Sequence, residues 1–116
     1  MTTINLFQHS KDAIPYPAGA VIFNEGDPGD MMYVLVEGEI DIIHKGQVID
    51  QHTAGSLIGE MALLDGSPRS ATARAKTSCR VVPINEKRFL FLVQQTPFFA
   101  LQVMRLLSER LRRKLQ

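Results

Sequence analysis

The sequence predicts a mainly β protein: an antiparallel β-roll of the jelly-roll kind, followed by two C-terminal α-helices. Glycine occurs eight times, always between positions 19 and 66, and short stretches rich in Val, Ile, Leu and Tyr separate the glycines. Turn signals at this spacing are typical of a compact all-β roll. After Ile84 the apolar period changes from two residues to about three and a half, the period of a helix.

The roll is expected to occupy about residues 15–84 and to contain at least six strands. The expected strands are residues 20–23, 32–36, 40–43, 47–50, 72–75 and 79–84. Lys45 and Gly46 form a tight hairpin between two of these strands, and residues 75–78 form the turn between the last two.

Two helices are expected after the roll. Asn85 can cap the first helix, over residues 86–95, while Thr96 and Pro97 offer a cap and a first-turn proline to the second, over about 97–116. The second half of that helix keeps a thin apolar stripe that ends at Leu115. The stripe is expected to lie on the roll, on a ligand or on a partner helix, and a homodimer through this helix is one such arrangement.

Length and composition limit the function. A chain of 116 residues is about one domain, so residues 1–116 are interpreted as a single module. Its longest unbroken apolar run, residues 31–36, is far shorter than the roughly 18 residues of a membrane span, and no signal peptide begins the chain. A cytoplasmic protein without membrane contact is expected.

Cys79 is the single cysteine, so one chain cannot form a disulfide or a cysteine-based metal site, and a buried thiol is expected.

Charge is unevenly distributed although its sum is close to zero. Residues 1–65 hold two lysines against ten acidic residues, whereas residues 66–116 hold eleven basic residues against two glutamates. The two halves are expected to lie against each other, or the basic half to meet an anion, and the sequence does not choose between these. A balanced total disfavours bulk nucleic-acid binding.

Residues 58–72 carry the chemistry. Gly59 lets the backbone approach a ligand closely, and the residues after it can form one helical turn whose free N–H groups cradle an anion. A turn over residues 65–68 returns Arg69 to the same point, where its planar guanidinium matches phosphate oxygens. Glu60 would repel a phosphate but can accept a sugar hydroxyl, so the pair specifies a sugar phosphate. The competing interpretation is a plain Glu60–Arg69 ion pair.

These motifs resemble those of the cyclic nucleotide-binding domain family. Residues 59–63 read Gly-Glu-x-Ala-Leu and, after five residues, residues 69–72 read Arg-Ser-Ala-Thr, which is similar to the family's phosphate-binding cassette. Upstream, Glu-Gly-Asp-Pro-Gly-Asp at residues 25–30, Tyr-Val-Leu at 33–35 and Gly38 resemble its earlier strand and turn signature. The likeness runs from about Pro17 to the end of the chain.

The resemblance implies a module that binds a cyclic nucleotide, cAMP first and cGMP as the alternative, without cofactor or catalysis. It assigns the ribose 2′-hydroxyl to Glu60 and the cyclic phosphate to Arg69. Other residues that it places around the ligand are Gly59, Met61, Ala62, Ser70 and Ala71, with Ile42 and Ile49 beside the base. The glycines at 26, 29 and 38 are expected to serve turns rather than ligand.

Base recognition is the less determined part of the site. In similar domains the last helix continues past the nucleotide and adds polar base contacts, whereas this sequence ends at Gln116. Arg112 and Arg113 lie near the place where such contacts begin, and both also suit a solvated helix end. Ser70 leaves the choice between adenine and guanine open.

Three other functional classes use a small β-roll. A metal-dependent enzyme on a small β-roll needs clustered histidines, but His9, His44 and His52 are scattered in the sequence. The chain can be the sensor half of a transcription regulator, although its own basic helix end, residues 110–114, is not expected to bind nucleic acid. A degenerate roll that binds only protein is the remaining alternative, and intact Glu60 and Arg69 count against it.

The expected mechanism is a ligand-driven switch. Phosphate capture would reshape the cassette, and the change would pass to the helices after Ile84. The apolar residues of these helices that would contact the roll are Phe89, Phe91, Phe98 and Phe99. Their contacts either change when the ligand binds or belong to a fixed hydrophobic core.

Overall fold

The protein, described by a computed structural model over residues 2–115, is built on two four-stranded antiparallel sheets. Its strands are β1 (Ile14–Tyr16), β2 (Val21–Phe23), β3 (Met31–Glu37), β4 (Ile40–His44), β5 (Gln47–His52), β6 (Leu57–Ile58), β7 (Thr72–Ala75) and β8 (Cys79–Asn85). Its helices are α1 (Glu60–Asp65), α2 (Glu86–Gln95) and α3 (Pro97–Lys114). The sheet orders are β1-β8-β3-β6 and β2-β7-β4-β5. The predicted β-roll with two C-terminal helices is confirmed.

The central strands β3 and β8 are buried on both faces. Tyr33 and Leu35 point into the core between the two sheets, whereas Met32 and Val34 join a second core beneath the C-terminal helices. A strand that is covered on both sides needs apolar residues at successive positions rather than at alternate ones. This explains the unbroken apolar run of residues 31–36.

Helix α3 closes the open face of the first sheet. Phe99, Val103 and Leu106 are its buried residues, and their spacing of four and three places them on one stripe. Ile4 and Phe7 from the N-terminal segment pack into the same core. Residues 2–13 form turns and contain no helix.

The local turn and cap predictions had mixed outcomes. Lys45 and Gly46 adopt φ values of 50° and 81° in the β4–β5 hairpin, as a tight turn of this type requires. Asn85 Oδ1 accepts a hydrogen bond from the Arg88 N–H at 2.8 Å and caps α2 as predicted. Pro97 begins α3, but the Thr96 side chain makes no capping bond, so that part of the prediction was wrong.

The strand prediction was incomplete. β1 and β6 were not predicted, because three and two residues are too few for an alternating pattern to be visible. β5 continues to His52, beyond the expected end at residue 50. Helix α3 ends at Lys114 with Leu115 as its C-cap, short of the predicted end, and Gln116 lies outside the described residues.

The acidic and basic halves of the chain do lie against each other. Four pairs of a basic and an acidic side chain join them, namely Arg110–Glu60, Arg88–Asp12, Arg80–Glu37 and Lys76–Glu39. Three of the four are well exposed and stabilise the fold little, while Arg110–Glu60 is mostly buried. The charge asymmetry is therefore partly structural.

Within residues 2–115, no single helix is long and apolar enough to cross a membrane. Only α2 and α3 taken together, which are bent by 116° relative to each other, satisfy the same criteria of length and composition.

Candidate cyclic nucleotide site

A cavity of about 370 Å³ opens between α1, the second sheet and the end of α3. All nine residues predicted from the sequence for the site line it: Ile42, Ile49, Gly59, Glu60, Met61, Ala62, Arg69, Ser70 and Ala71. The cavity brings together residues from three distant parts of the chain, as a ligand pocket requires.

Gly59 fixes the start of α1 and the close packing around it. Its φ of 74° lies in the left-handed region, where a side chain is strained. A Cβ atom added there would lie 2.4 Å from Arg69 Nη1 and 3.2 Å from the Phe23 ring. Glycine is therefore required for two reasons, backbone conformation and the space that the arginine occupies.

Arg69 is held inside the protein and does not point into solvent. Its side chain lies over the Phe23 ring at 4.1 Å, and only 6% of the residue is exposed. Nη1 donates to the Gly59 carbonyl at 2.9 Å, and Nη2 donates to the Met31 carbonyl at 2.6 Å. These contacts fix the plane of the guanidinium before any ligand arrives.

One nitrogen of this guanidinium remains unsatisfied. Arg69 Nε is fully buried and has no hydrogen-bond partner within residues 2–115. Burial lowers the pKa of Arg69, an effect that the nearby Tyr33 and acidic residues oppose, but an arginine still keeps its charge at any physiological pH. Arg69 lines the cavity, and a buried cation in such a wall is suited to an anion.

The upstream turn, residues 25–30, holds Arg69 in place. The Gly26 N–H donates to the Arg69 carbonyl, and the Arg69 N–H donates to the Asp27 carbonyl, both at 2.8 Å. Gly29 packs directly on the side chain, since a Cβ there would lie 2.8 Å from Arg69 Nε and 2.4 Å from the Ala62 Cβ. The sequence interpretation of Gly29 as a turn residue missed this close contact with the site.

Glu60 pairs with an arginine, but not with Arg69. Its Oε1 accepts from Arg110 Nη1 of α3 at 2.8 Å, and Glu60 is 9% exposed. The expected competing pair, Glu60 with Arg69, is absent from the described side-chain contacts. The last helix thus holds and orients the carboxyl group at the cavity wall.

Arg110 joins α3 to the roll at several points. Its Nη2 donates to the Ser56 hydroxyl at 2.7 Å and also to the Leu57 carbonyl. His52 Nδ1 lies 3.5 Å from the same Nη2. Sequence reasoning missed Arg110 and His52, which also line the cavity. One signal was available, because Arg110 follows Val103 and Leu106 on the buried stripe, where a cation needs a partner.

The wall expected to face the base is apolar and open. Ile49 is 60% exposed and Met61 is 52% exposed, and both line the cavity beside the half-buried Ile42. Arg113 and Lys114 of α3 complete this side. Of the two arginines considered from the sequence, Arg113 therefore reaches the cavity, whereas Arg112 lies along a different surface groove.

No cluster of three or more His, Cys, Asp or Glu side chains suited to a metal ion occurs in residues 2–115. His9, His44 and His52 lie apart, and Cys79 is a buried free thiol whose pKa burial raises. The cavity lining holds four basic side chains, Arg69, Arg110, Arg113 and Lys114, against the acidic Asp50 and Glu60, so its positive excess suits an anion.

Comparison with known proteins supports this assignment. The profile of the cyclic nucleotide-binding domain matches residues 13–96. The chain is 44% identical over 80 residues to a cAMP-dependent protein kinase regulatory subunit from Aspergillus niger, covering 67% of this chain and 20% of that protein. It is 31% identical over 107 residues to the cAMP-activated global transcriptional regulator CRP of Salmonella typhimurium, and this match covers 87% of this chain and 49% of that protein.

A solved structure agrees with these sequence matches. The crystal structure of a cyclic nucleotide-binding domain from Methylobacillus flagellatus superposes with a TM-score of 0.78 at 30% identity, covering 87% of this chain and 62% of that one. The chain spans between a fifth and a half of the two curated relatives. With the profile matching most of its length, the chain belongs to the cyclic nucleotide-binding domain family.

Proposed function

We propose that this chain binds a cyclic nucleotide and acts as a ligand-sensing regulatory module. One observation carries the proposal: the buried guanidinium of Arg69 lines the cavity, and each of its two terminal nitrogens gives one N–H to a carbonyl group and keeps a second. A cyclic phosphodiester supplies one negative charge and matches this single buried cation. The amides of Met61, Ala62, Ser70 and Ala71 complete the phosphate shell.

Glu60 takes the ribose 2′-hydroxyl in this proposal. Its Oε1 accepts from Arg110 at 2.8 Å, and the carboxyl group can accept a further hydrogen bond from a sugar. Ile42 and Ile49 cover the base by apolar contact. An apolar wall does not discriminate strongly between purines, so both cyclic nucleotides suit it. We propose cAMP as the first ligand because the names of the two curated relatives include it, and cGMP as the alternative.

Arg110 is the connection through which the ligand reaches the helices. It belongs to α3 but donates to Glu60, which is in the phosphate-binding segment, and to Ser56 before β6. A nucleotide that moves α1 or recruits Glu60 changes the contacts of Arg110 and with them the position of α3. The output is helix placement, and the module needs no catalytic residue, cofactor, nucleic acid or membrane contact in a cytoplasmic setting.

A calorimetric titration tests the proposed function. We expect cAMP to bind with one site per chain and with measurable heat, and cGMP to bind at a comparable or weaker level. The matched control is 5′-AMP, whose open phosphate carries an additional charge and does not present the cyclic diester. We expect it to bind about tenfold more weakly or worse. Absence of binding by both cyclic nucleotides would favour the degenerate, protein-binding roll.

The sensor half of a transcription regulator is a second proposal. It is supported by the match to CRP, of which this chain covers 49%. In that arrangement the module described here binds the nucleotide, and any contact with DNA belongs to another part of the protein.

We also propose that α3 pairs with a second copy of this chain. Its exposed apolar stripe contains Leu101, Met104, Leu111 and Leu115, at spacings that place them on one helix face. Sedimentation of the purified protein should give a dimer, and Leu111→Glu should shift it to the monomer while the fold is kept. A monomer at every concentration, or a dimer unaffected by the substitution, would contradict this arrangement.

A further inference from the structure

His52 is a buried titratable residue that the proposed function does not use. It ends β5 beneath α3, and its side chain is 10% exposed. The imidazole lies between two polar neighbours: Nε2 is 3.5 Å from Asp50 Oδ2, and Nδ1 is 2.9 Å from the Ser56 hydroxyl. The same hydroxyl binds Arg110, which in turn holds Glu60.

The hydrogen bonds around Ser56 favour a neutral His52. Arginine only donates, so the Ser56 oxygen accepts from Arg110. The single proton of Ser56 can go to His52 Nδ1 at 2.9 Å or to the Leu57 carbonyl at 3.5 Å, and the shorter contact favours Nδ1 as the acceptor. The proton of a neutral imidazole then sits on Nε2, facing Asp50. With His52 neutral, all three interactions are satisfied together and the imidazole adds no positive charge beside Arg110.

Protonation of Nδ1 breaks this arrangement. The new N–H would end the hydrogen bond from the Ser56 hydroxyl to Nδ1, and the imidazolium would lie 3.5 Å from the guanidinium Nη2. Like charges at this distance repel, more strongly in a partly buried site than in water. Arg110 would then lose its contact with Ser56, on the side of the guanidinium opposite Glu60.

Charged groups around His52 act in both directions. Burial is the largest influence and lowers the pKa of His52 below its ordinary value of 6.5. Arg110 and Arg113 lower the pKa further, while Asp50 and Glu60 raise it. Because the unfolded chain binds this proton more readily, the contribution of neutral His52 to stability is present above pH 6.5 and is lost below it.

We propose that His52 is a positioning residue for Arg110, and that its protonation releases Arg110 and weakens nucleotide binding. The proposal rests on the proposed function of the cavity. Neutral His52 orients the Ser56 hydroxyl so that Arg110 holds both the roll and Glu60; protonated His52 loosens the end of α3 and leaves Glu60 less well held. Nucleotide affinity and helix docking therefore depend on one imidazole.

The test compares cAMP affinity near pH 8 and near pH 5.5 for four forms of the protein. In the wild type we expect affinity to fall on acidification by less than about tenfold, because a group that titrates below pH 6.5 is only partly converted to its protonated form near pH 5.5. His52→Gln keeps an acceptor for Ser56 without titrating, so its affinity should change much less on acidification than that of the wild type, whatever its value near pH 8. His52→Leu removes the acceptor and should bind more weakly at both pH values. The control His9→Gln changes an exposed histidine and should follow the wild type.

Two results would overturn the proposal: a wild-type affinity that does not change with pH, or equal pH profiles for wild type and His52→Gln. A ligand-free readout separates this failure from failure of the proposed function. If no cyclic nucleotide binds at any pH, NMR of the wild type should still show the His52 imidazole and the Arg110 side-chain N–H signals shifting with one common midpoint below 6.5. Independent titration of the two signals would overturn the positioning role whether or not a ligand binds.

Discussion

Arg69→Ala will weaken cAMP binding by about a hundredfold, because the phosphate loses a buried, charged hydrogen-bond donor worth up to ~3 kcal/mol. The substitution removes the whole guanidinium, including the Nε that has no hydrogen-bond partner within residues 2–115. Calorimetry measures the loss. Arg74→Ala is the matched control, since Arg74 is an exposed arginine on β7 that does not line the cavity.

Folding of the variant must be checked because Arg69 also bonds to the carbonyls of Gly59 and Met31. A circular dichroism spectrum like that of the wild type will show that the roll persists. Arg69→Lys gives a second check: lysine keeps the charge but not the planar fork, so we expect binding between that of the wild type and the alanine variant. A cAMP affinity within threefold of the wild type in Arg69→Ala would contradict the assignment.

The largest effect on stability is expected for Phe99→Ala. Phe99 is fully buried where α3 meets the first sheet, and its ring meets Phe7 at 6.0 Å and Phe89 at 5.9 Å between centroids. Deletion of a buried phenylalanine leaves a cavity and costs about 3–5 kcal/mol. Phe98→Ala is a close control in the neighbouring position, because Phe98 is 55% exposed.

Urea denaturation will measure both variants. We expect a large fall in the free energy of unfolding for Phe99→Ala and a change of less than about 1 kcal/mol for Phe98→Ala. Similar losses for the two variants would mean that α3 is not docked as described. Of the four phenylalanines named for the switch, Phe99 lies in the core and Phe89 packs against it, whereas Phe91 and Phe98 are exposed.

Much of the fold could be predicted from local sequence. Hairpin, helix cap and cassette each depend on a few adjacent residues, such as Lys45-Gly46, Asn85 and Gly59, whose chemistry determines the turn directly. Strands β1 and β6 were missed because they are short and are formed by pairing with β8 and β3 rather than by a pattern of their own. The burial of Ile4 and Phe7 was not predicted for a similar reason, since these residues are buried by packing with α3.

The site divides in the same way. All nine predicted residues line the cavity, because the cassette brings most of them together within fourteen positions of the chain. Arg110 and His52 were missed, since their contacts join residues about fifty positions apart or depend on the docking of α3. The contact between Gly29 and Arg69 is likewise a packing event that spacing does not reveal.

A crystal structure of the protein with bound cAMP tests the central claim most directly. The account predicts a phosphate oxygen within hydrogen-bond distance of the Arg69 guanidinium and the ribose 2′-hydroxyl on the Glu60 carboxylate. A nucleotide bound outside this cavity, or one whose phosphate lies at Arg113 and Lys114 without contact to Arg69, would contradict it.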